Sequence, residues 1–178
     1  MGDWTMPIPW VQSFNPVFII VLAPVFAAAF ATHDPWQTFL VGMAAAILAK
    51  RLGMTNSNFG NSNGWPDEGV TYTTARDLAT LARASAEETP ELYKQFYSQE
   101  SFTWGKTLGG GEPITQGNRN PLLGKVAGAD GLKTGHTEEA GYGFTGSAEQ
   151  NGRRLVMVVA GLDSYNQRID ESTKFMNW

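Results

Sequence analysis

The pattern of apolar and polar residues divides this chain into two parts near residue 50. Before that point, two apolar runs extend over residues 17–31 and 39–49. Residues 1–49 hold two Asp and no Lys or Arg, whereas all thirteen basic residues lie from Lys50 onward. We therefore expect an apolar segment over residues 1–49 and a globular domain over residues 50–178.

The first apolar run has some features of a membrane segment and lacks others. It is shorter than the about 20 residues that a spanning helix needs, and Pro24 interrupts it. Trp4, Trp10 and Trp36 flank it, as aromatic residues do at membrane interfaces. A secretory signal fits poorly, because the start of the chain lacks the basic residues of such a signal. Membrane contact through residues 14–31 and an apolar helical hairpin packed on protein both remain open.

From Lys50 on, the periodicity first predicts helices. Thr74 followed three residues later by Asp77 is a capping-box-like start. Apolar side chains then recur at helical spacing, and the pair Thr89–Pro90 predicts the end of this helix. Residues 91–97 are expected to form a second, short helix.

The second half of the domain alternates strand and turn signals. Asn151–Gly152 is typical of a tight β-hairpin, and residues 109–111 form a glycine-rich turn. We expect an antiparallel three-stranded meander with a buried last strand, closed by a helix. The predicted elements are strands over 101–104, 132–134, 142–148 and 155–160 and a helix from Tyr165 to Met176. The predicted fold class is α/β of the α+β type, with helices packed on an antiparallel sheet.

Composition narrows the chemistry. The chain has no cysteine, which excludes disulfides, thiolate nucleophiles and cysteine metal sites. Its two histidines are too few for a histidine-rich metal site, so we expect neither a metal nor a cofactor. A net charge of −4 without a basic run argues against nucleic acid as a partner.

Lys133-Thr134-Gly135 is the most specific motif of the chain. Lys-Thr-Gly is one of three motifs that form the active site of penicillin-recognising serine enzymes. The run around it, with several other segments in the same order, resembles a serine-type D-alanyl-D-alanine carboxypeptidase of the penicillin-binding-protein class. The segments that carry this resemblance, which covers about residues 48–178, are 51–59, 72–79, 101–104, 118–120, 128–142 and 172–178.

This resemblance implies a partial penicillin-binding transpeptidase or β-lactamase-like domain that acts on peptidoglycan stem peptides or β-lactams. Lys133 is then the catalytic-site residue that supplies positive charge for the substrate carboxylate. Thr134 and Thr137 would donate hydrogen bonds to that carboxylate, and Gly135 would let a ligand approach the backbone closely. His136 matches a histidine of the family motif.

The loop before the Lys-Thr-Gly strand adds one more candidate. Arg119, in the segment Asn118-Arg119-Asn120, is a second predicted anion contact. An exposed solubilising arginine is the alternative interpretation.

Two parts of the family's catalytic machinery are missing from these 178 residues. The family carries its nucleophile and base in a Ser-x-x-Lys motif, which does not occur here. Thr103 and Lys106 have that spacing but lie in strand-like sequence. Ser-x-Asn occurs at Ser13 and Ser164, both out of the family's order. We therefore expect an inactive relative of the carboxypeptidases, or alternatively a non-catalytic module that binds peptide carboxylates or β-lactams.

A second resemblance concerns residues 12–31, which are similar to a transmembrane segment of proton-coupled oligopeptide transporters. Together the two resemblances suggest a membrane-associated chimeric fragment as a further alternative. They imply an extracytoplasmic or cell-envelope location with membrane association. The family's first half also supplies strands of the same sheet. We therefore expect a bare sheet edge, with marginal stability or self-association as the consequence.

Overall fold

The computed structural model describes residues 35–61 and 66–177, with side chains from residue 43 onward. The transporter-like run at 12–31 and the membrane-contact segment at 14–31 lie outside the described residues. Within the described part, no helix is both long and apolar enough to traverse a bilayer. The domain boundary near residue 50 stays a prediction.

Four helices and five strands make up the described part of the chain. The helices are α1 (Pro35–Arg51), α2 (Ala75–Glu88), α3 (Pro90–Tyr97) and α4 (Tyr165–Asn177). The strands are β1 (Ser101–Lys106), β2 (Pro113–Gly117), β3 (Ala129–Thr137), β4 (Gly141–Gln150) and β5 (Arg153–Leu162).

The main sheet is an antiparallel meander in the order β3-β4-β5. Lys133 of β3 lies opposite Thr145 of β4, which in turn lies opposite Val158 of β5. Strands β1 and β2 pair only with each other and form a separate hairpin. Both β3 and β5 are therefore edges of the main sheet within the described residues.

Helices cover both faces of this sheet. On one face, Met157 of β5 packs with Met176 of α4 and with Leu122, which lies in the loop between β2 and β3. On the other face, the neighbouring Val156 packs against a cluster that includes Ala82 of α2 and Tyr93 of α3. Adjacent strand residues point to opposite faces, so β5 contributes to two separate cores.

The structure confirms the predicted fold class and most of the local signals. Thr74 caps α2 by accepting a hydrogen bond from the Asp77 backbone N–H at 3.2 Å, and α2 ends just before Thr89. Asn151 and Gly152 both adopt positive φ values, 53° and 73°, as the hairpin between β4 and β5 requires.

One prediction about the strands needs correction, and one strand was missed. Residues 155–160 do form a strand, but the expectation that this run is buried is wrong: Met157 is buried, whereas Leu155 is 54% exposed. The reason is that β5 is an edge strand. Strand β2 was not predicted, because its sequence lacks an alternating apolar pattern.

Candidate functional site

All six predicted site residues line one groove. This groove, here called the Lys133 groove, has a volume of about 1160 Å³ and runs between the main sheet and the loop that leads into α2. The predicted residues on its wall are Arg119, Lys133, Thr134, Gly135, His136 and Thr137. The structure thus brings together the loop candidate and the strand candidates.

The loop wall of the groove is held by a buried carboxylate. Asp77, 2% exposed, accepts hydrogen bonds from the Asn56 backbone N–H at 2.9 Å and from the Ser57 hydroxyl at 2.7 Å. Asn58 and Tyr72 add an antiparallel bridge between the same two segments. These bonds fix the position of the loop opposite β3.

Lys133 projects from the edge strand β3 and keeps access to solvent. Its ammonium donates a hydrogen bond to the Thr134 carbonyl oxygen. Burial of part of the side chain lowers the pKa of Lys133, and the positive charges of Arg119 and Arg168 lower it further. Within the described part of the chain, Lys133 forms no ion pair with a carboxylate, and a negatively charged ligand would stabilise its charged form.

Two asparagines hold Arg119 beside Lys133. The side-chain amide of Asn118 donates to the Gln99 carbonyl oxygen at 2.9 Å, and its side-chain oxygen accepts from the Asn120 N–H at 2.9 Å. Asn120 then accepts from the Leu122 N–H at 2.9 Å. These local bonds shape the loop so that the exposed Arg119 lines the groove.

Thr137 and His136 lie at the far end of β3. The Thr137 hydroxyl oxygen accepts a hydrogen bond from the Ala140 N–H at 3.0 Å, which leaves the hydroxyl proton free to be donated. The His136 ring stacks on Tyr142, with centroids 4.0 Å apart. The ring contact orients His136, whose ring nitrogens form no hydrogen bond with the other described residues.

Gly135 leaves open space in front of the strand. A Cβ atom built at this position would meet no other atom within 4 Å. Because Gly135 lines the groove, that space is available to a ligand that lies along β3. Packing within the protein therefore does not require glycine here.

Arg168, on α4, is a groove residue that the sequence did not reveal. It is 4% exposed, and its Nη1 donates to the Gly135 carbonyl oxygen at 3.3 Å. Its guanidinium carbon lies 5.5 Å from the Tyr142 ring centroid and 5.0 Å from that of Tyr165. Its Nε has no hydrogen-bond partner among the described residues. Helical periodicity alone does not distinguish such a buried arginine from an exposed one.

The charged residues that line the groove are all positive. Lys133, Arg119 and Arg168 all line it, and the described wall contains no Asp or Glu. Three cations facing one cavity without a carboxylate favour an anionic ligand. Carboxylates and phosphates are the anions that arginine and lysine bind most readily.

The described residues that match a nucleophile motif by spacing, Thr103 and Ser164, do not line the Lys133 groove. The Thr103 hydroxyl is 2.8 Å from that of Thr115 on the separate hairpin. The Ser164 hydroxyl oxygen accepts from the Gln167 N–H at 3.1 Å at the start of α4, so it serves as a helix cap. The candidate at Ser13 lies outside the described residues.

The fold matches solved structures of penicillin-binding peptidases. Penicillin-binding protein 5 from Haemophilus influenzae aligns with a TM-score of 0.69 and 36% sequence identity, over 78% of this chain and 38% of that one. Penicillin-binding protein D2 from Listeria monocytogenes, in its ampicillin-bound form, aligns with a TM-score of 0.68 and 30% identity, over 77% of this chain and 54% of that one. The fold of the described residues is thus that of penicillin-binding peptidases.

The sequence identifies the family more narrowly. Residues 27–164 match the family Peptidase_S11, D-alanyl-D-alanine carboxypeptidase. The D-alanyl-D-alanine carboxypeptidase DacA of Haemophilus influenzae is 40% identical over 131 residues, which are 72% of this chain and 31% of that protein. The chain belongs to the D-alanyl-D-alanine carboxypeptidase family, and it spans about a third of the length of the curated relatives it matches. The transporter resemblance of residues 12–31 gains no support from these comparisons.

Proposed function

We propose that the Lys133 groove binds the terminal carboxylate of a peptidoglycan stem peptide that ends in D-Ala-D-Ala, or the carboxylate of a β-lactam. The observation that carries this proposal is the set of three cations, Lys133, Arg119 and Arg168, on a wall without a carboxylate. The names of the relatives and the ampicillin bound to the Listeria protein agree with it.

The cationic and hydroxyl-bearing residues named from the site each have a part in the proposed binding. Lys133 and Arg119 attract the carboxylate, and Arg168 adds a buried charge behind Gly135. Thr134 and Thr137 donate hydrogen bonds to its oxygens. The rest of the peptide lies along the free edge of β3, where main-chain hydrogen bonds hold it as an added strand.

Hydrolysis requires more than this groove contains. Acyl transfer by a serine enzyme needs a nucleophile activated by a neighbouring base. These 178 residues contain no Ser-x-x-Lys motif. Lys133 lies on a strand, and we assign it the role of attracting the ligand carboxylate through its positive charge. We therefore propose that these residues by themselves bind the ligand without turning it over.

Intact mass after incubation with a labelled penicillin tests the proposed lack of turnover. No covalent adduct is expected on the folded protein. An adduct would show that a nucleophile is present, and peptide mapping would locate it.

Binding of a peptide ending in D-Ala-D-Ala, measured by calorimetry, tests the groove itself. Lys133→Ala should weaken binding roughly tenfold to a hundredfold, because a charge-assisted hydrogen bond is lost. Lys125→Ala is the matched control, since Lys125 is exposed and lies outside the groove. Equal losses in both variants, or in neither, would reject the proposed site.

The cellular setting follows from the same proposal. A protein that binds peptidoglycan peptides works in the cell envelope, outside the cytoplasm. Membrane contact through residues 14–31 belongs to this proposal as well. Deletion of that segment should then abolish partitioning into lipid vesicles, and unchanged partitioning would reject the contact.

A further inference from the structure

Three threonines line the loop wall of the Lys133 groove: Thr71, Thr73 and Thr74. The hydroxyl oxygens of two of them accept hydrogen bonds from the protein. The Thr71 oxygen accepts from the Gly60 N–H at 3.0 Å, and the Thr74 oxygen accepts from the Asp77 N–H at 3.2 Å. Thr73 is exposed and has different hydrogen-bond partners.

The Thr73 hydroxyl belongs to a chain of hydrogen bonds that ends at a buried carboxylate. Its oxygen lies 2.8 Å from the Ser57 hydroxyl oxygen, and the Ser57 hydroxyl donates to the Asp77 carboxylate at 2.7 Å. Because a hydroxyl carries one proton and a carboxylate only accepts, Ser57 has no proton left for Thr73. Thr73 is therefore the donor in the bond between the two hydroxyls.

This arrangement fixes the direction of the Thr73 hydroxyl. Its one proton points to Ser57, and among the described residues no donor reaches its oxygen. Asp77 is 2% exposed and also accepts the Asn56 N–H at 2.9 Å, so the end of the chain of hydrogen bonds is held in place. Thr73 can thus accept a hydrogen bond from a ligand but has no proton to donate to one.

The two walls of the groove consequently offer opposite chemistry. Lys133 and Arg119 present donors to a ligand, whereas Thr73 on the loop wall presents an acceptor. A peptide that lies along β3 has main-chain N–H groups that point alternately toward β3 and away from it. An N–H group that points away from β3 faces the loop wall, which carries the Thr73 oxygen.

We propose that Thr73 is a specificity-determining residue that accepts a hydrogen bond from one main-chain N–H of the bound peptide. Ser57 and Asp77 are then positioning residues, because they hold the Thr73 hydroxyl in its accepting orientation. This inference rests on the proposed function, from which it takes the peptide's position along β3. It adds a preference for an amide over an ester at one linkage of the ligand.

Calorimetry with three ligands tests this preference on the full chain. One is an N-acetylated tripeptide ending in D-Ala-D-Ala, and the other two carry an ester in place of its last or its preceding peptide linkage. Each ester lacks one N–H. One of them should bind the native protein roughly three- to tenfold more weakly than the peptide, which is the effect of one lost hydrogen bond.

Thr73→Val should remove that loss, because valine keeps the shape of threonine and lacks the acceptor oxygen. The other ester replaces an N–H that faces β3, so any loss that it shows should be the same in the native protein and in Thr73→Val. Thr73→Ser keeps the hydroxyl and should behave as the native protein does.

Thr80→Val is the matched control, since it makes the same change on α2 outside the groove. It should leave all three affinities unchanged. Ser57→Ala releases the Thr73 proton, so the hydroxyl can rotate and the preference for the amide should shrink. An undiminished preference in Ser57→Ala would reject the positioning role of Ser57 and Asp77.

The outcomes separate this inference from the proposed function. Equal affinities of the peptide and both esters for the native protein would overturn the inference and leave the proposed function intact. An ester loss that persists in Thr73→Val would also overturn it, as would two ester losses that both depend on Thr73, since these indicate a displaced loop. If none of the three ligands binds the folded protein, the proposed function fails and the inference fails with it.

A measurement on the native protein decides the matter if Thr73→Val does not fold. The methyl signal of Thr73, assigned from its loss in Thr73→Ser, should shift when the peptide binds and should shift less with one of the two esters. An unchanged methyl signal in the presence of bound peptide would overturn the inference.

Discussion

Arg168 donates a hydrogen bond from Nη1 to the Gly135 carbonyl oxygen across 3.3 Å, and so joins α4 to the Lys-Thr-Gly strand. Among the described residues, no carboxylate forms an ion pair with this buried guanidinium. A buried charge of this kind stabilises the fold poorly, because its desolvation is not offset by a partner. It is therefore better explained by binding an anion than by folding.

Replacing Arg168 with an apolar residue tests this relationship. Arg168→Met should leave the melting temperature unchanged or raise it, because an uncompensated buried charge is removed. The same variant should weaken binding of a D-Ala-D-Ala peptide at least tenfold. Thermal melting and calorimetry measure the two effects. A lower melting temperature with unchanged affinity would mean that Arg168 has only a structural role.

The pKa of Lys133 predicts how binding depends on pH. Burial and two neighbouring arginines hold this pKa below its usual value of 10.5. As the pH rises through the lowered pKa, Lys133 loses its proton, and affinity for a carboxylate should fall. Calorimetry from neutral to alkaline pH measures this fall. In Lys133→Ala the fall should be absent, and an identical profile in both proteins would refute the assignment.

Stability should change with pH in the opposite sense. Between the lowered pKa and 10.5, the unfolded chain keeps a proton on Lys133 that the folded protein has released. Because the unfolded state then binds more protons, this group's contribution to the free energy of unfolding rises with pH over that window. Denaturant titrations of the wild type and Lys133→Ala at several pH values isolate this contribution as their difference.

Two glycines of β3 should respond differently to the same substitution. A Cβ at Gly131 would lie 2.2 Å from the Tyr93 hydroxyl oxygen, whereas a Cβ at Gly135 would meet nothing within 4 Å. Gly131→Ala should therefore lower the melting temperature, because Tyr93 is 1% exposed and has little room to move. Gly135→Ala should preserve stability and weaken ligand binding. A lower melting temperature of Gly135→Ala would show that the fold, and not the ligand, requires glycine at this position.

The ion pair between Asp130 and Arg154 anchors the start of β3. Arg154 Nη2 lies 2.9 Å from an Asp130 oxygen, and Tyr93 donates to the same carboxylate at 3.2 Å. Asp130→Ala should cost about 1–2 kcal/mol of unfolding free energy, because the guanidinium of Arg154 loses one carboxylate and keeps its ion pair with Glu149. Denaturant unfolding measures the loss. Lys174→Ala, which removes an exposed pair with Glu171, should have no measurable effect.

The exposed edge of β5 underlies the expected self-association. Leu155 is 54% exposed on this edge, and residues 155–160 carry no charge that would prevent strand pairing. Val158→Lys should reduce self-association in sedimentation experiments. A cooperative, concentration-independent melting transition well above body temperature in the unmodified chain would contradict the expectation.

Local sequence signals predicted most of the elements, because their causes are local. The Thr74 cap and the Asn151–Gly152 turn depend on a few neighbouring residues, and both formed as expected. The exposure of Leu155 could not be predicted, because an apolar run does not show whether a strand has neighbours on both sides.

The groove was predictable only in part. Lys133 and its neighbours were found through their resemblance to a known motif, and the structure places them beside Arg119. Arg168 was missed because its role depends on α4 packing against a strand 33 positions earlier. The exposed apolar face of the β1-β2 hairpin, which carries Phe102 and Trp104, likewise became visible only once the pairing of β1 with β2 was known.

Comparing a D-Ala-D-Ala peptide with its C-terminal amide is the most direct test of whether the Lys133 groove recognises a carboxylate. The two ligands differ only at the terminal group, where the amide lacks the negative charge and one acceptor oxygen that Lys133, Arg119 and Arg168 are proposed to recognise. We expect measurable calorimetric binding of the free carboxylate and at least tenfold weaker binding of the amide. Equal affinities for the two peptides would contradict this expectation, because the groove would then not recognise a carboxylate.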